Sequence, residues 1–210
     1  MNKPQFIYPQ LIQRYPLLSE QITTQRLAVV LACLEHTLKA NIDGDVVEFG
    51  CYIGTTSVFL RRIMDTLDVS SRKLHVYDSF QGLPAKTIQD ASVAGTDFRA
   101  GELKASAHGL RYNFRHSQLT QPIIHKAWFE DLTAKDLPKA IAFAFLDSDF
   151  YQSITDSLKL VWPRLTLYGS IVIDDYNRPG LPGVTRAVRD FLPHQVHVRQ
   201  QDGLAVIVKT

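Results

Sequence analysis

The sequence predicts a three-layer α/β fold with five parallel strands and an antiparallel last pair, and three observations carry that expectation. Short apolar runs rich in β-branched or aromatic residues alternate with stretches of helical periodicity. Two of these runs, residues 142–146 (AFAFL) and 170–173 (SIVI), end in acidic stretches, Asp147-Ser148-Asp149 and Asp174-Asp175. The chain closes on residues 195–199, a turn at Gln201-Asp202-Gly203 and residues 204–209, which reads as a hairpin. Strands as apolar as 142–146 are buried on both faces, and in open sheets of this kind ligands bind beyond the carboxyl ends of the strands. The acids therefore share one rim. Carboxylates brought so close raise one another's pKa unless a cation separates them, and donors that are all oxygen suit a hard ion such as Mg²⁺. A divalent metal site is the first functional expectation.

With 210 residues, 45% hydrophobic and 21% charged, the chain is expected to form a single domain over 1–210 around one sizeable core. A net charge of +2 with scattered Lys and Arg excludes an evident phosphate-backbone partner, although 111–115 is locally basic. No nucleic acid is expected. The two cysteines, Cys33 and Cys51, suggest no disulfide framework and fit a reducing cytoplasm. Residues 1–16 lack an apolar leader core, and no apolar run approaches the length of a membrane span, so a soluble, unprocessed cytoplasmic protein is expected.

Residues 1–17, broken by prolines and aromatic, read as an extended arm packed on its own domain or on a neighbouring subunit. Ser19 is placed to cap a helix to about residue 40, with Leu27, Val30, Leu31, Leu34 and Leu38 on one face. Residues 45–49 (DVVEF) form the first strand. Gly50-Cys51-Tyr52-Ile53-Gly54 then turns tightly into a helix from Thr55 to about residue 67. Glycines admit a ligand close to the backbone and the helix start offers free N–H groups, but a tight turn needs glycine for its own sake too. The spacing Glu48-x-Gly50-x-x-x-Gly54 is not that of dinucleotide binders. Strand two, 73–77, ends at Asp78, where an acid either accepts hydrogen bonds from ribose hydroxyls or merely terminates the strand.

Residues 82–120 interrupt the rhythm and read as a lid or substrate segment inserted between strands two and three, with Lys86, Arg99, Lys104, His108, Arg111 and His116 available. Residues 122–126 form strand three, after which Trp128 either stacks on a base or packs in the core. Helices are expected at 151–162 and 184–192. Asp149 lies where it could cap the first of them, a role compatible with catalysis. The seven histidines share no metal spacing, and His108 or His116 are the lid candidates among them.

An ordered set of motifs resembles the class I S-adenosylmethionine-dependent methyltransferases, and more narrowly the macrocin O-methyltransferase family of natural-product sugar methylation. These are VVEFGCYIGTTS (46–57), YDSFQGLP (77–84), FRAGELKAS (98–106), AWFEDLTAKDLP (127–138), FLDSDFYQS (145–153) and VIDDYNRPG (172–180). The resemblance implies a Rossmann-like methyltransferase fold, a seven-stranded sheet with its last strand antiparallel, S-adenosylmethionine as donor, Mg²⁺, a sugar hydroxyl as acceptor and a homo-oligomer. Glu48, Gly50 and Gly54, with Tyr52 and Thr55, would shape the methionine end of the cofactor pocket. Asp78 and Ser79 would hold the ribose and Ala127 and Trp128 border the adenine. Asp147, Asp174 and Asp175 look like the Mg²⁺ ligands, Asp147 also bordering the cofactor, and Asp149 like the general base. Family members usually carry glycine where this chain has Ala127 and Ser148.

Three alternatives compete. A catechol or caffeoyl-coenzyme A type of Mg²⁺-dependent methyltransferase would act on an aromatic diol, but has Asp-Asn where this chain has Asp174-Asp175. A nicotinamide-dependent oxidoreductase is disfavoured by the glycine spacing. A non-catalytic S-adenosylmethionine-binding protein would have no use for four crowded acids, which are costly to keep.

Overall fold

The computed structural model describes residues 6–69, 71–95 and 97–210. Its centre is a seven-stranded sheet built from β1 (Asp45–Phe49), β2 (Leu74–Asp78), β3 (Ile123–Lys126), β4 (Ile141–Leu146), β5 (Leu165–Ile173), β6 (Val198–Gln201) and β7 (Leu204–Val208). The spatial order is β3-β2-β1-β4-β5-β7-β6. Pairs among β1 to β5 are parallel, whereas β7 runs antiparallel to both β5 and β6. The strand order reverses between β1 and β4, where the crevice for a ligand opens.

Helices cover both faces, as the alternation of strand side chains requires. Val46, Val76, Phe143, Phe145 and Val172 point to one layer, made by α2 (Thr24–Lys39), α3 (Thr55–Thr66) and α4 (Ala107–His116). Val47, Phe49, Ala144, Leu146 and Ile173 point to the other, made by α5 (Tyr151–Val161) and α6 (Pro182–Phe191). All six residues of β4 are buried, which explains why its sequence is a continuous apolar run. No described helix is long and apolar enough to cross a membrane.

Several expectations change. The N-terminal segment is not extended where it is described: Tyr8–Arg14 form a helix, α1, opened by Pro9 in its first turn. Ile7, Leu11, Ile12 and Tyr15 pack on this chain's own core, and the buried Glu35 accepts the Ile7 and Tyr8 N–H groups at 2.8 to 3.0 Å, satisfying the helix start. Residues 1–5 of the arm lie outside the described residues. Thr23, not Ser19, caps α2 by accepting from Arg26 N, and Ser19 instead meets Thr55 Oγ1 at 3.0 Å.

The inserted segment 82–120 divides in two. Its second half is α4, whose Leu110 and Phe114 are fully buried, and it forms the crossover helix between β2 and β3. His108 and His116 are exposed on α4, away from the cavity above the rim. The first half stays beside the rim, strapped down by polar contacts. Asp90 accepts from Thr87 N and from Tyr151 N, Ser92 Oγ donates to Pro179 O, and Arg178 Nε binds Asp97 Oδ2 at 2.9 Å.

Candidate active site

Backbone hydrogen bonds continue the sheet ladder one residue past the strand ends, lining up the rim. Gly50 N donates to Tyr77 O (2.9 Å), Asp147 N to Phe49 O (2.9 Å), Asp174 N to Leu146 O (2.9 Å) and Ala127 N to Asp78 O (3.1 Å). The strands β3, β1, β4 and β5 thus each present a rim residue at one level. Gly50 has φ +82°, and a Cβ there would lie 1.7 Å from the Asp147 carbonyl oxygen, so the β1 and β4 ends meet only because position 50 has no side chain. Tyr52, Asp149 and Asp175 also hold positive φ, at 48°, 57° and 54°. Such strain clusters where a fold holds groups for a purpose other than packing.

Above this rim lies a cavity of about 420 Å³. Gly50, Tyr52, Asp78, Ser79 and Trp128 line one side of it; Asp147, Ser148, Asp149, Asp174 and Asp175 line the other. Glu48 and Thr55 border a small recess that adjoins it at Gly50, Tyr52 and Asp147. Gly54 and Ala127 line neither space. Gly54 (φ +90°) starts α3 under Leu110, whose Cδ1 would lie 2.2 Å from a Cβ. Trp128 lines the cavity and does not enter the core; the neighbouring Phe129 packs edge-on against Phe49, with centroids 5.1 Å apart.

Asp78 accepts from Tyr52 N (3.0 Å) and Phe80 N (2.7 Å), which fixes the turn after β1 to the end of β2. Burial raises its carboxyl pKa, and these N–H donors oppose the rise. Glu48, fully buried in β1, accepts from Ser57 Oγ, and burial pushes it up to about 8.

The acidic side is more crowded. Burial raises Asp147 well above the usual carboxylate range, and Asp174, Asp149 and Asp175 raise it further. Asp149 and Asp174 rise for the same reasons, burial first and Asp175 next. Asp149 does not cap α5. Asp90 takes that place, its Oδ1 accepting from Tyr151 N at 2.7 Å, so the capping expectation is displaced and Asp149 is left facing the cavity.

Two arginines that sequence reasoning missed counter the acids. Arg26 Nη1 donates to Asp174 Oδ1 (3.0 Å) and Asp175 Oδ1 (2.8 Å), and Arg178 Nη1 donates to Asp175 Oδ1 (2.9 Å). Arg178 stands three positions after Asp175 and was within reach of a spacing argument. Arg26 lies 148 positions before Asp174 and carries no local signal. Glu20, Gln21 and Thr23, just ahead of Arg26, also line the cavity. Of the basic candidates in the inserted segment, Lys86 is bound to Asp97 O and sits over the Phe150 ring, while Arg99, Lys104 and Arg111 are exposed.

The strand order, the glycine turn at the switch point and an acid ending β2 define the class I methyltransferase fold. Within that class the chain belongs to the TylF macrocin-O-methyltransferase family, whose model matches residues 13–205. Demethyldecarbamoylnovobiocin O-methyltransferase of Streptomyces niveus is 30% identical over 168 residues, 74% of this chain and 61% of its own length. A Streptomyces olivaceus relative, 8-demethyl-8-(2,3-dimethoxy-alpha-L-rhamnosyl)-tetracenomycin-C 4'-O-methyltransferase, is 30% identical over 173 residues, 80% of this chain and 65% of its own length. The chain thus spans under two thirds of the length of both. The solved structure of the O-methyltransferase NovP superposes with a TM-score of 0.78 at 26% identity, covering 90% of this chain and 81% of NovP.

Proposed function

We propose that the chain is an S-adenosylmethionine- and magnesium-dependent O-methyltransferase acting on a sugar hydroxyl of a glycosylated natural product. The supporting observation is the convergence on one cavity of Gly50, Asp78 and Trp128 with Asp147, Asp149, Asp174 and Asp175. Family membership supports methyl transfer, and the rhamnosyl acceptor in the name of the S. olivaceus relative supports a sugar.

The cofactor's methionine end would lie by Gly50, Tyr52 and the recess at Glu48 and Thr55, its ribose at Asp78 and Ser79, and its adenine against Trp128 beside Ala127. For magnesium, the donor chemistry fits: Asp147, Asp174 and Asp175 offer only oxygen, and burial and crowding have raised the first two, a strain that a cation would relieve. Among the described residues no three acidic, His or Cys side chains stand ready as a metal cage. Arginine occupies Asp174 and Asp175 instead. When bound, magnesium supplies positive charge that favours the ionised form of a nearby hydroxyl.

The chain's own part in the reaction is alignment and proton removal. The methyl carbon leaves sulfur, whose bonding pair stays on sulfur, and joins the acceptor oxygen, while the hydroxyl proton passes to the Asp149 carboxylate. Asp149 is held for this by its left-handed backbone and is spared from capping by Asp90. Trp128, Phe129 and Leu83 give the cofactor side an apolar lining. Positioning of this kind supplies a large share of the rate.

Calorimetry with S-adenosylmethionine, with and without Mg²⁺, followed by a mass-shift screen of glycosylated acceptors and aromatic diols, tests the reading. Methylated glycosides that require Mg²⁺ are expected. Methylation of diols alone would move the chain to the catechol type, and cofactor binding without any product would make it a binding protein.

A further inference from the structure

Arg26 belongs to the first turn of α2, on the face of the sheet opposite α5 and α6, yet its guanidinium reaches the far end of β5. One nitrogen, Nη1, bridges two successive carboxylates, at 3.0 Å from Asp174 Oδ1 and 2.8 Å from Asp175 Oδ1. That is where a cation shared by the two acids would have to sit. Asp174 Oδ1 also accepts from Asp175 N (2.8 Å), and Asp175 Oδ1 from Arg178 Nη1 (2.9 Å), so these oxygens are fully engaged. The guanidinium has a fitted seat: a Cβ at Gly203, in the β6–β7 turn, would lie 2.9 Å from its Nη2. The Arg26 side chain is 21% exposed, against 3% and 6% for the two acids, so a route to solvent is open to it.

Arg178 differs. It also holds Asp97 Oδ2 at 2.9 Å and stacks over Phe98, which anchors it to the inserted segment. Metal–oxygen contacts of about 2.1 Å cannot be added to oxygens that already hold a guanidinium in the same bridging position without displacing it. A dication placed beside it would also be repelled.

We infer that Arg26 is a tethered counter-cation: it occupies the bridging position between Asp174 and Asp175 and competes there with the divalent ion. It is thus a positioning residue that sets the ion's affinity through its own release. This rests on the metal site proposed above, and the test separates the two.

Mn²⁺ binding is measured by calorimetry, and by loss of the free-ion electron paramagnetic resonance signal, with neither cofactor nor acceptor present. The variants are wild type, Arg26→Gln and Asp174→Asn. Arg26→Gln should bind Mn²⁺ about tenfold more tightly than wild type, as a coupling of ordinary size would give, and Asp174→Asn should lose binding. Equal or weaker binding by Arg26→Gln, with Asp174→Asn still abolishing it, would overturn the competition and leave the metal site standing. No Mn²⁺ binding by either wild type or Arg26→Gln would remove both. Should Arg26→Gln not fold, wild type gives the answer through nuclear magnetic resonance of the arginine Nε–H groups, with Arg26 assigned from Arg26→Lys. Saturating Mg²⁺ should move the Arg26 signal to that of a solvated arginine, and an unmoved signal overturns the inference.

Discussion

Two polar clusters occupy different strands and opposite rims of the one sheet. At the amino end of β1 and β2, His75 lies under Asp45 and beside His125 of β3, with His75 Nδ1 and His125 Nε2 3.1 Å apart. His125 stacks on Tyr77 at 4.3 Å and Tyr77 on Phe49 at 4.3 Å, so the rings form one pile across three strands. At the carboxyl end stand Asp147, Asp149, Asp174 and Asp175. In the first cluster burial lowers the pKa of both histidines, so the rings are neutral and call for no counter-charge. In the second, like charges are crowded into a buried site and depend on two arginines, the neighbouring Arg178 and Arg26 from the distant helix α2. A cluster that solves its own electrostatics reads as packing. One that must import its counter-charge reads as a binding site.

The sharpest way to break this contrast is mutation of the acidic end. Asp149→Ala and Asp174→Ala should each lower turnover by about 10³-fold or more, the range expected when a general base or its partner is lost. Cofactor affinity, measured by calorimetry, should hardly change. Normal turnover in either variant would reduce the rim to packing.

Gly50→Ala should come next, acting on stability and cofactor binding together. A Cβ 1.7 Å from the Asp147 carbonyl, at φ +82°, forces β1 and β4 apart, at a cost of more than about 2 kcal/mol in urea unfolding. An unfolding curve like that of wild type would contradict the close approach.

The legibility of the molecule follows the same divide. Strands β1, β4 and β5, the glycine turn and all four rim aspartates were readable, because buried parallel strands demand continuous apolar runs and the rim follows from where they end. Helix α1 was missed since its stability comes from Glu35, a tertiary cap, rather than from periodicity within 1–17. Helix α4 was read as lid because Leu110 and Phe114 make only a thin apolar stripe in a polar segment. Arg26 was invisible: nothing local says that an arginine on α2 will face β5. A capping role for Asp149 beside catalysis is suggested by adjacency alone, whereas Asp90 reaches Tyr151 N from a loop 61 positions earlier.

Asp90→Ala would sharpen that last point. It removes the bond to Tyr151 N and two to Thr87, and should cost about 1 kcal/mol by chemical denaturation, as loss of a helix cap does. No change would mean that α5 is capped otherwise.

The smallest effect belongs to the histidine end. His75 Nε2 lies 3.4 Å from Asp45 Oδ2 without forming a hydrogen bond, and burial lowers His75 and His125 below the ordinary value of 6.5. The unfolded chain therefore takes up protons first as the pH falls. The stability these rings contribute is complete above pH 6.5 and is lost as the pH drops through the lowered folded values. Thermal unfolding between pH 7.5 and 5, roughly one unit on either side of a normal imidazole, should show this decline in wild type and a flatter profile in His125→Phe. Parallel profiles would mean that the rings titrate in the fold as they do in the unfolded chain.

The most direct test of the central claim is anomalous diffraction from crystals grown with Mn²⁺. A single anomalous peak within about 2.5 Å of carboxylate oxygens of Asp147, Asp174 and Asp175 is expected, the spacing of a hard cation on oxygen, with Arg26 turned away. A peak elsewhere, or none while Arg26 still bridges Asp174 and Asp175 at saturating Mn²⁺, would contradict it.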